Sequence, residues 1–308
     1  SDEAGMKRIL VSGGTGLVGR YIVEECLAAG HDVTVAGRNA PAPDLFAAPV
    51  SFLPLELGGA GSTGIFKGID VFIHAAFSHA PGRYRGGEGD DPAGFLKANV
   101  AGSIALFEAA CRAGVKHAFF LSSRAVFDGY PAGMPLPETT PPQPQSLYGK
   151  AKWEVEQALS ALARPGFIPV NLRATGVYGD LVPNKWESLF ERYASGEDIA
   201  ARAGSEVHGR DLAGAILTLL DAPIPKISGK AFHVSDIVTD THTILAPLKA
   251  ALQSPRPLPQ RADQSAVSAM TTTRLNALGW RSGGMPLLSA TLQTLVERFI
   301  DTRDATVI

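Results

Sequence analysis

Tyr148 and Lys152 stand four residues apart in the stretch SLYGKAKWEVEQAL, residues 146–159. On a helix this spacing puts both side chains on one face. A free phenol ionises near pH ~10, a poor match for proton exchange at neutral pH. An ammonium one turn away stabilises the phenolate and lowers that value. The pair therefore reads as a proton-transfer unit. Lys150 points well round the helix from the phenol and reads as a surface lysine. A second cluster is GGTGLVG, in which Gly13, Gly16 and Gly19, with Thr15, Leu17 and Val18 between them, follow an apolar strand and open a helix. Glycine there allows a tight turn, backbone approach to a pyrophosphate and close helix packing. The helix N-terminus offers free N–H groups and a positive dipole end to the phosphates. The turn reads as a dinucleotide site; the alternative is a purely structural glycine turn.

Both clusters need a frame. KRILVS, HDVTVAGR, VSFLPLEL, IDVFIHAA, KHAFFLSS and FIPVNLR read as six strands. Helical spacing separates them after Gly16, from Asp91 to Gly114, and through the Tyr148 segment. Such alternation predicts an α/β, Rossmann-type, doubly wound parallel sheet with right-handed crossovers. The Val, Ile, Leu and Phe runs suit strands buried on both faces. A polar, glycine-rich loop is expected between Phe77 and Asp91, and a proline-rich one from Asp128 to Pro144. After Arg173 the alternation becomes irregular, with helices near 185–195, 211–221 and 287–301. Residues 6–173 are thus expected to form the dinucleotide domain. Residues 174–308 should form mostly a small C-terminal substrate domain, with some segments returning to the sheet. The stretch SPRPLPQ, 254–260, reads as a surface connection.

The chain has 308 residues, 45% of them apolar, and a net charge of −2. That balance gives no electrostatic reason to expect nucleic acid or an anionic membrane as partner. Two cysteines, Cys26 and Cys111, fall in helical segments, so a disulfide framework is not expected and a cytoplasmic location fits. Metal-ligand spacings are absent. The first apolar stretch reads as a strand rather than a signal peptide, and no run is long enough for a bilayer span. Met6 reads as the native start, with Ser1–Gly5 an added leader.

The glycine spacing, the Tyr-x-x-x-Lys pair and the strand ends resemble the extended branch of the short-chain dehydrogenase/reductase family, the NAD-dependent epimerase/dehydratase type that includes sugar epimerases. The resemblance runs along almost the whole chain and is tightest from Lys7 to Gly179. In FFLSSRAVFDG, matching Val126 and Phe127 to the family pattern selects Ser123 as the catalytic hydroxyl, 25 residues before Tyr148. The resemblance implies that Ser123 hydrogen-bonds the substrate oxygen and Tyr148 exchanges a proton with it. Lys152 then holds the nicotinamide ribose and lowers the phenol pKa, while a hydride moves between substrate carbon and nicotinamide.

Along the cofactor the resemblance implies Glu56 and Leu57 of LEL, which read the adenine, then His74, Ala75 and Ala76 of IHAA, Asn99 of KANVAGS, Ser122 beside Ser123 at the strand end, and Thr175, Gly176 and Val177 of LRATGVYGD. Arg173 of the same segment reads as structural. Epimerases end the second strand in an acidic residue that holds the adenosine ribose. Here Gly37 stands there and Arg38 follows. An arginine offers a charged fork to a 2′-phosphate, so NADP is preferred over NAD.

The substrate side departs from the epimerases. Gly176 replaces an asparagine and Gly204 an arginine, both of which usually contact a nucleotide-sugar, and neither Arg202 nor Arg210 is in register to substitute. Arg124 and Ala125 stand where sugar dehydratases carry Asp-Glu, so dehydration is not expected. Phe77, Arg83, Arg124, Phe127, Tyr178, Asn184 and Trp186 are the candidates for lining a substrate cleft. Arg124 adjoins Ser123 and can pair with an acidic group. The expected function is an NAD(P)-dependent oxidoreductase acting on a secondary alcohol or ketone of a sugar-like or other polar small molecule. The alternatives are a nucleotide-sugar epimerase with a recycled cofactor and, from another class, a dinucleotide-sensing regulatory protein. Relatives commonly pair through a helix pair next to the active site, which implies a homodimer.

Overall fold

A computed structural model describes residues 5–57, 63–77 and 91–306. Seven parallel strands run in the order β3-β2-β1-β4-β5-β6-β9. They are β1 (Arg8–Ser12), β2 (Asp32–Gly37), β3 (Ser51–Pro54), β4 (Val71–His74), β5 (His117–Ser123), β6 (Ile168–Ala174) and β9 (Lys230–Val234). The strand order turns back between β1 and β4, which opens a crevice outside their carboxyl ends. Alternate residues serve opposite faces. Ile9 and Val11 join Val33, Val35 and Ile22 on one side, and Leu10 joins Phe72, Phe107, Phe120 and Val155 on the other. All seven residues of β6 are buried, as expected of a strand covered on both faces.

The helices explain how the chemistry is aimed. α1 (Gly19–Ala28) starts directly from the glycine turn. α2 (Pro92–Ala113) is capped by the Asp91 carboxylate, which accepts from the Gly94 N–H, and stops at Gly114 in the left-handed conformation. α3 (Leu147–Ser160) carries Tyr148 in its first turn. Ser146 Oγ caps it by accepting from Gly149 N–H at 3.0 Å, and Asp128 accepts from the Gln145 and Ser146 N–H groups. These three linked hydrogen bonds fix where the phenol begins its helix.

The second half differs from the expected helices alone. β7 (Gly176–Tyr178) pairs in parallel with β8 (Ala203–His208), and β10 (Ile237–Asp240) closes an antiparallel edge on β8. α4 (Glu187–Ala194), α7 (Thr241–Leu252) and α9 (Gly284–Ala305) enclose a core of Tyr178, Trp186, Phe190, Leu245, Leu248 and Leu292. α5 (Gly209–Leu220) packs back under β1 through Leu212, Ile216 and Leu219. β9, which follows the short α6 (Ile224–Ile227), completes the main sheet beside β6, with α8 (Thr273–Ala277) against β9. Asp211 and Asp236 accept from the Gly283 and Gly284 N–H groups and fasten the start of α9. The sequence did not reveal β7 to β10, because these strands are three to six residues long and are crossed by irregular chain. Nor did it reveal α7, whose interior holds Pro247. Most of the expected loop after Phe77, including Arg83, lies outside the described residues. Among the described residues no helix is long and apolar enough to cross a membrane, and no group of acidic, histidine or cysteine side chains could hold a metal.

Candidate active site

The crevice at the carboxyl ends of the strands is a cavity of about 480 Å³. Its floor is the glycine turn. Gly13 has φ +72°, and a methyl group on it would lie 2.8 Å from the Ala76 nitrogen. A methyl on Gly19 would fall inside contact distance of the Gly13 carbonyl oxygen. Backbone, not side chains, therefore faces whatever enters, and Thr15, Gly16, Leu17 and Val18 complete that surface. At one end the wall is Ala36, Gly37, Arg38, Asn39, Leu55 and Leu57; at the other it is Ala75, Ala76, Phe77, Leu121, Ser122, Ser123, Tyr148 and Lys152, with Ala174, Thr175 and Val177 opposite. An elongated molecule with a phosphate centre fits this arrangement, so the residues present suit a dinucleotide.

Tyr148, Lys152 and Ser123 thus share one end of one cavity. Lys152 is buried, and its Nζ donates to the Leu121 carbonyl at 2.8 Å. The same nitrogen lies 4.3 Å from the Phe77 ring centre, 4.9 Å from that of Phe120 and 5.4 Å from that of Tyr148. Phe77 meets Tyr148 edge-on at 5.9 Å. Burial pushes the lysine down to about 7, against which the Glu156 carboxylate one turn further on acts to raise it. Rings line the surroundings of that nitrogen, and one carbonyl and π faces hold it. Ser123 ends β5 and caps the short 3-10 turn Arg124–Phe127, its Oγ accepting from Ala125 N–H at 3.0 Å. Gly149, buried against the Ala125 carbonyl, lets α3 close on that turn and brings Tyr148 beside Ser123.

Behind them lies a charged tie. Ser122 Oγ donates to Glu156 at 2.6 Å, and Arg173 reaches the same carboxylate from Nε and from Nη2, the latter at 2.8 Å. The Ser122 hydroxyl is therefore turned into the protein, although the residue lines the cavity. His74 is fully buried, with Nδ1 2.6 Å from Ser12 Oγ and Nε2 2.8 Å from Ser103 Oγ. Burial lowers its pKa to about 3, so it stays neutral and ties β1 to β4 and α2. Asn99 is also buried, donating to the Phe95 carbonyl. Glu56 is exposed and outside the cavity lining, between Leu55 and Leu57, which line it.

A second cavity, about 510 Å³, adjoins the first at Tyr148. Arg124 and Phe127 line it; Tyr178, Asn184 and Trp186 do not. Tyr178 stacks on Trp186 at 5.3 Å inside the C-terminal core, and Asn184 donates to the Gly179 carbonyl at 2.6 Å. Arg210 pairs with Asp180 at 2.9 Å. At the Gly176 position a methyl group would lie 2.6 Å from a Glu206 oxygen, and Lys185 holds that carboxylate at 2.5 Å. Sequence reasoning passed over Ala36, Asn39, Leu55, Leu121, Ala174 and Gly149. The first five sit at or just beyond strand carboxyl ends, and that position is the signal that finds them.

The family profile described as NAD dependent epimerase/dehydratase family matches residues 9–235. UDP-glucose 4-epimerase of Neisseria meningitidis serogroup B is 29% identical over 217 residues, covering 62% of each chain. The chain thus spans about three-fifths of that relative's length. UDP-glucose 4-epimerase of Vibrio cholerae is 30% identical over 243 residues, covering 75% of this chain and 71% of the relative. Among solved structures, UDP-glucose 4-epimerase of Thermus thermophilus in complex with NAD is 25% identical, with a TM-score of 0.75 over 95% of this chain and 98% of that one. The Thermotoga maritima UDP-glucose 4-epimerase with UDP-glucose has a TM-score of 0.75 at 24% identity, covering 96% and 99%. A cleft built on the glycine turn, the parallel sheet around it and these matches lead to one assignment: the chain belongs to the NAD-dependent epimerase/dehydratase family.

Proposed function

We propose that this protein is an NAD(P)-dependent oxidoreductase that interconverts a secondary alcohol and a ketone on a polar small molecule. The observation that carries this reading is the convergence of Ser123, Tyr148 and Lys152 on the end of the same cavity whose floor is the glycine turn. Ser123 orients the substrate oxygen. Tyr148 takes the hydroxyl proton as the carbinol carbon is oxidised and returns it in the reverse direction. Lys152 supplies positive charge beside the phenol and is the group placed to hold the nicotinamide ribose. The dinucleotide, when bound, supplies the two-electron acceptor or donor. Residues 6–173 hold the dinucleotide and the remainder mostly shapes the substrate side.

NADP is the preferred cofactor in this reading. Arg38 is exposed at the adenine end of the cavity, and no acidic residue stands at Gly37. A homodimer through the helix pair α2 and α3 is carried over from the family resemblance, and sedimentation velocity reads it. A nucleotide-sugar epimerase is the second reading, favoured by the UDP-glucose 4-epimerases among its relatives. Following absorbance at 340 nm with alcohols, aldoses, uronates and nucleotide-sugars separates the two. Net, stoichiometric cofactor consumption supports the first reading; sugar inversion without net consumption replaces it with the second. Tyr148→Phe should lower either turnover by about 10²–10⁴-fold while leaving dinucleotide binding in place. Unchanged turnover would remove the phenol from the chemistry.

A further inference from the structure

Glu156 carries a buried charge just outside the dinucleotide cavity. It is 2% exposed and lies on α3 one turn beyond Lys152. Ser122 Oγ donates to its Oε2 at 2.6 Å. Arg173 Nε reaches Oε1 at 3.1 Å and Oε2 at 3.2 Å, and Nη2 reaches Oε1 at 2.8 Å. Ser122 and Arg173 stand opposite each other in register on β5 and β6. One carboxylate therefore ties three elements: α3, which carries Tyr148 and Lys152, β5, which ends in Ser123, and β6, which leads to Thr175. The rings of Phe127 and Trp153 lie 5.2 and 5.9 Å from the Arg173 guanidinium carbon. Desolvating such a pair offsets much of its attraction, so stability alone is a weak reason for it.

Lys152 and Glu156 share a face of α3, yet among the described residues they form no ion pair. The lysine donates one of its three N–H groups to the Leu121 carbonyl, and the carboxylate is taken by Ser122 and Arg173. Around the lysine nitrogen stand the Tyr148 phenol on its own helix, His74 on β4, the Phe77 and Phe120 rings, and Arg173 on β6 behind Glu156. His74 is neutral, so Glu156 is the fixed negative charge in this set. Resting on the oxidoreductase reading, we propose that Glu156 is a positioning residue for the nicotinamide half of the dinucleotide: held rigid by Ser122 and Arg173, its carboxylate supplies the negative charge that keeps the Lys152 ammonium ready for the nicotinamide ribose. A charge one turn away acts more strongly in the interior than in water. Burial pushes the lysine down to about 7, and the Glu156 carboxylate works against that. Because two donors hold the carboxylate, it does not turn and occupy the ammonium by direct pairing, which leaves N–H donors for a ligand.

The test uses the full chain and needs no substrate. Calorimetry compares NADPH and NADH with adenosine 2′,5′-bisphosphate and ADP, which lack the nicotinamide ribose. Glu156→Gln keeps the shape and removes the charge. It should weaken the whole dinucleotides by about 10-fold at pH 8, with the loss shrinking as pH falls, and change the two halves by less than about twofold. Proton uptake on NADPH binding is read in buffers of unequal ionisation heat. It should be about half a proton at pH 7 in the wild type and approach one in the variant, because losing the carboxylate lets the lysine titrate lower still. Glu156→Gln leaves Arg173 charged and unpaired in the interior, so Glu156→Gln/Arg173→Met removes both charges and should restore the melting temperature. A merely structural tie would regain wild-type dinucleotide affinity in that double variant; the positioning role keeps both the loss and the altered proton uptake. Recovered affinity in the double variant overturns the proposal, as does an equal loss for whole and half dinucleotides, or proton uptake unchanged from the wild type. A loss confined to whole dinucleotides, in a protein that turns over none of the compounds followed at 340 nm, would instead overturn the oxidoreductase reading and leave the role of Glu156 intact.

Discussion

The two cavities that meet at Tyr148 are built from different materials. The floor of the first is backbone: a glycine turn and strand ends from which side chains are kept back, as at Gly13 and Gly19. The second is built from side chains gathered from separate stretches, the 3-10 turn after β5, the loop that follows, the start of α3, β8 and the segment before α8. A backbone floor serves a ligand whose shared part is a phosphate chain, and its demands fall on a few contiguous residues. A side-chain wall scatters its demands along the chain.

This contrast can be broken by adding atoms to the first cavity and removing them from the second half. Gly19→Ala should be the most damaging change, weakening dinucleotide binding by at least about 100-fold, because its methyl group meets the Gly13 carbonyl. Calorimetric titration, with circular dichroism as a folding control, reads it. Wild-type affinity in that variant would mean that the turn does not cradle the ligand.

Lys152→Met should lower turnover by about 10²-fold and yet raise the melting temperature by roughly 2–6 °C at neutral pH. The lysine's ordinary value is 10.5 and burial takes it to about 7. Between those values the unfolded chain holds a proton that the folded chain has shed. The destabilisation is therefore absent above pH 10.5, grows as pH falls and is complete below about 7. The methionine's gain in melting temperature should shrink accordingly as pH rises toward 10.5. Dinucleotide phosphates favour the ammonium, so binding near pH 8 should take up protons, an effect seen as buffer-dependent heat and lost in the variant. A melting temperature that falls at every pH would sink this account.

Arg38→Ala should raise the Kd for NADP by about 10–100-fold and shift NAD by less than about twofold. Gly37→Asp should favour NAD, since nothing lies within 4 Å of a methyl group built on Gly37. Equal losses for both dinucleotides in Arg38→Ala would remove the 2′-phosphate from the explanation. Tyr178→Phe should matter least. Its hydroxyl is buried with no hydrogen-bond partner, and burial with the nearby acids Asp236, Asp211 and Glu206 raises its pKa. Removing that oxygen should leave turnover unchanged and raise stability by about 1 kcal/mol, measured by urea unfolding. A large loss of turnover would move Tyr178 from the core into the site.

Legibility in the sequence follows the same division. The six strands that read as apolar runs all form, and the helices around them end where glycine or capping side chains stop them, as at Asp91 and Gly114. Short-range rules suffice there because each element carries its own pattern. Tyr148 and Lys152 were found by helical spacing, and the glycine turn by its place between strand and helix. Ser123 was selected by likeness to known relatives, since Ser122 and Ser123 are indistinguishable by type alone. What separates them is the buried Glu156 that takes the Ser122 hydroxyl, a residue 34 positions away. Tyr178 and Trp186 have the composition of a binding wall, yet they stack inside the C-terminal core, which forms only when α4, α7 and α9 assemble around them. The pinning of Arg124 by Ser205 and Ser268 spans 81 and 144 residues and leaves no local trace.

The carboxylate of Glu206 beside Gly176 also bears on which side chains position 176 can accept. A side chain introduced at 176 would meet that oxygen at 2.6 Å, and making room for it would draw the carboxylate away from the Lys185 ammonium that it now meets at 2.5 Å. An amide placed at 176 therefore requires the Glu206 side chain to swing aside or be shortened. The shape of that corner is consequently set by positions 176 and 206 together.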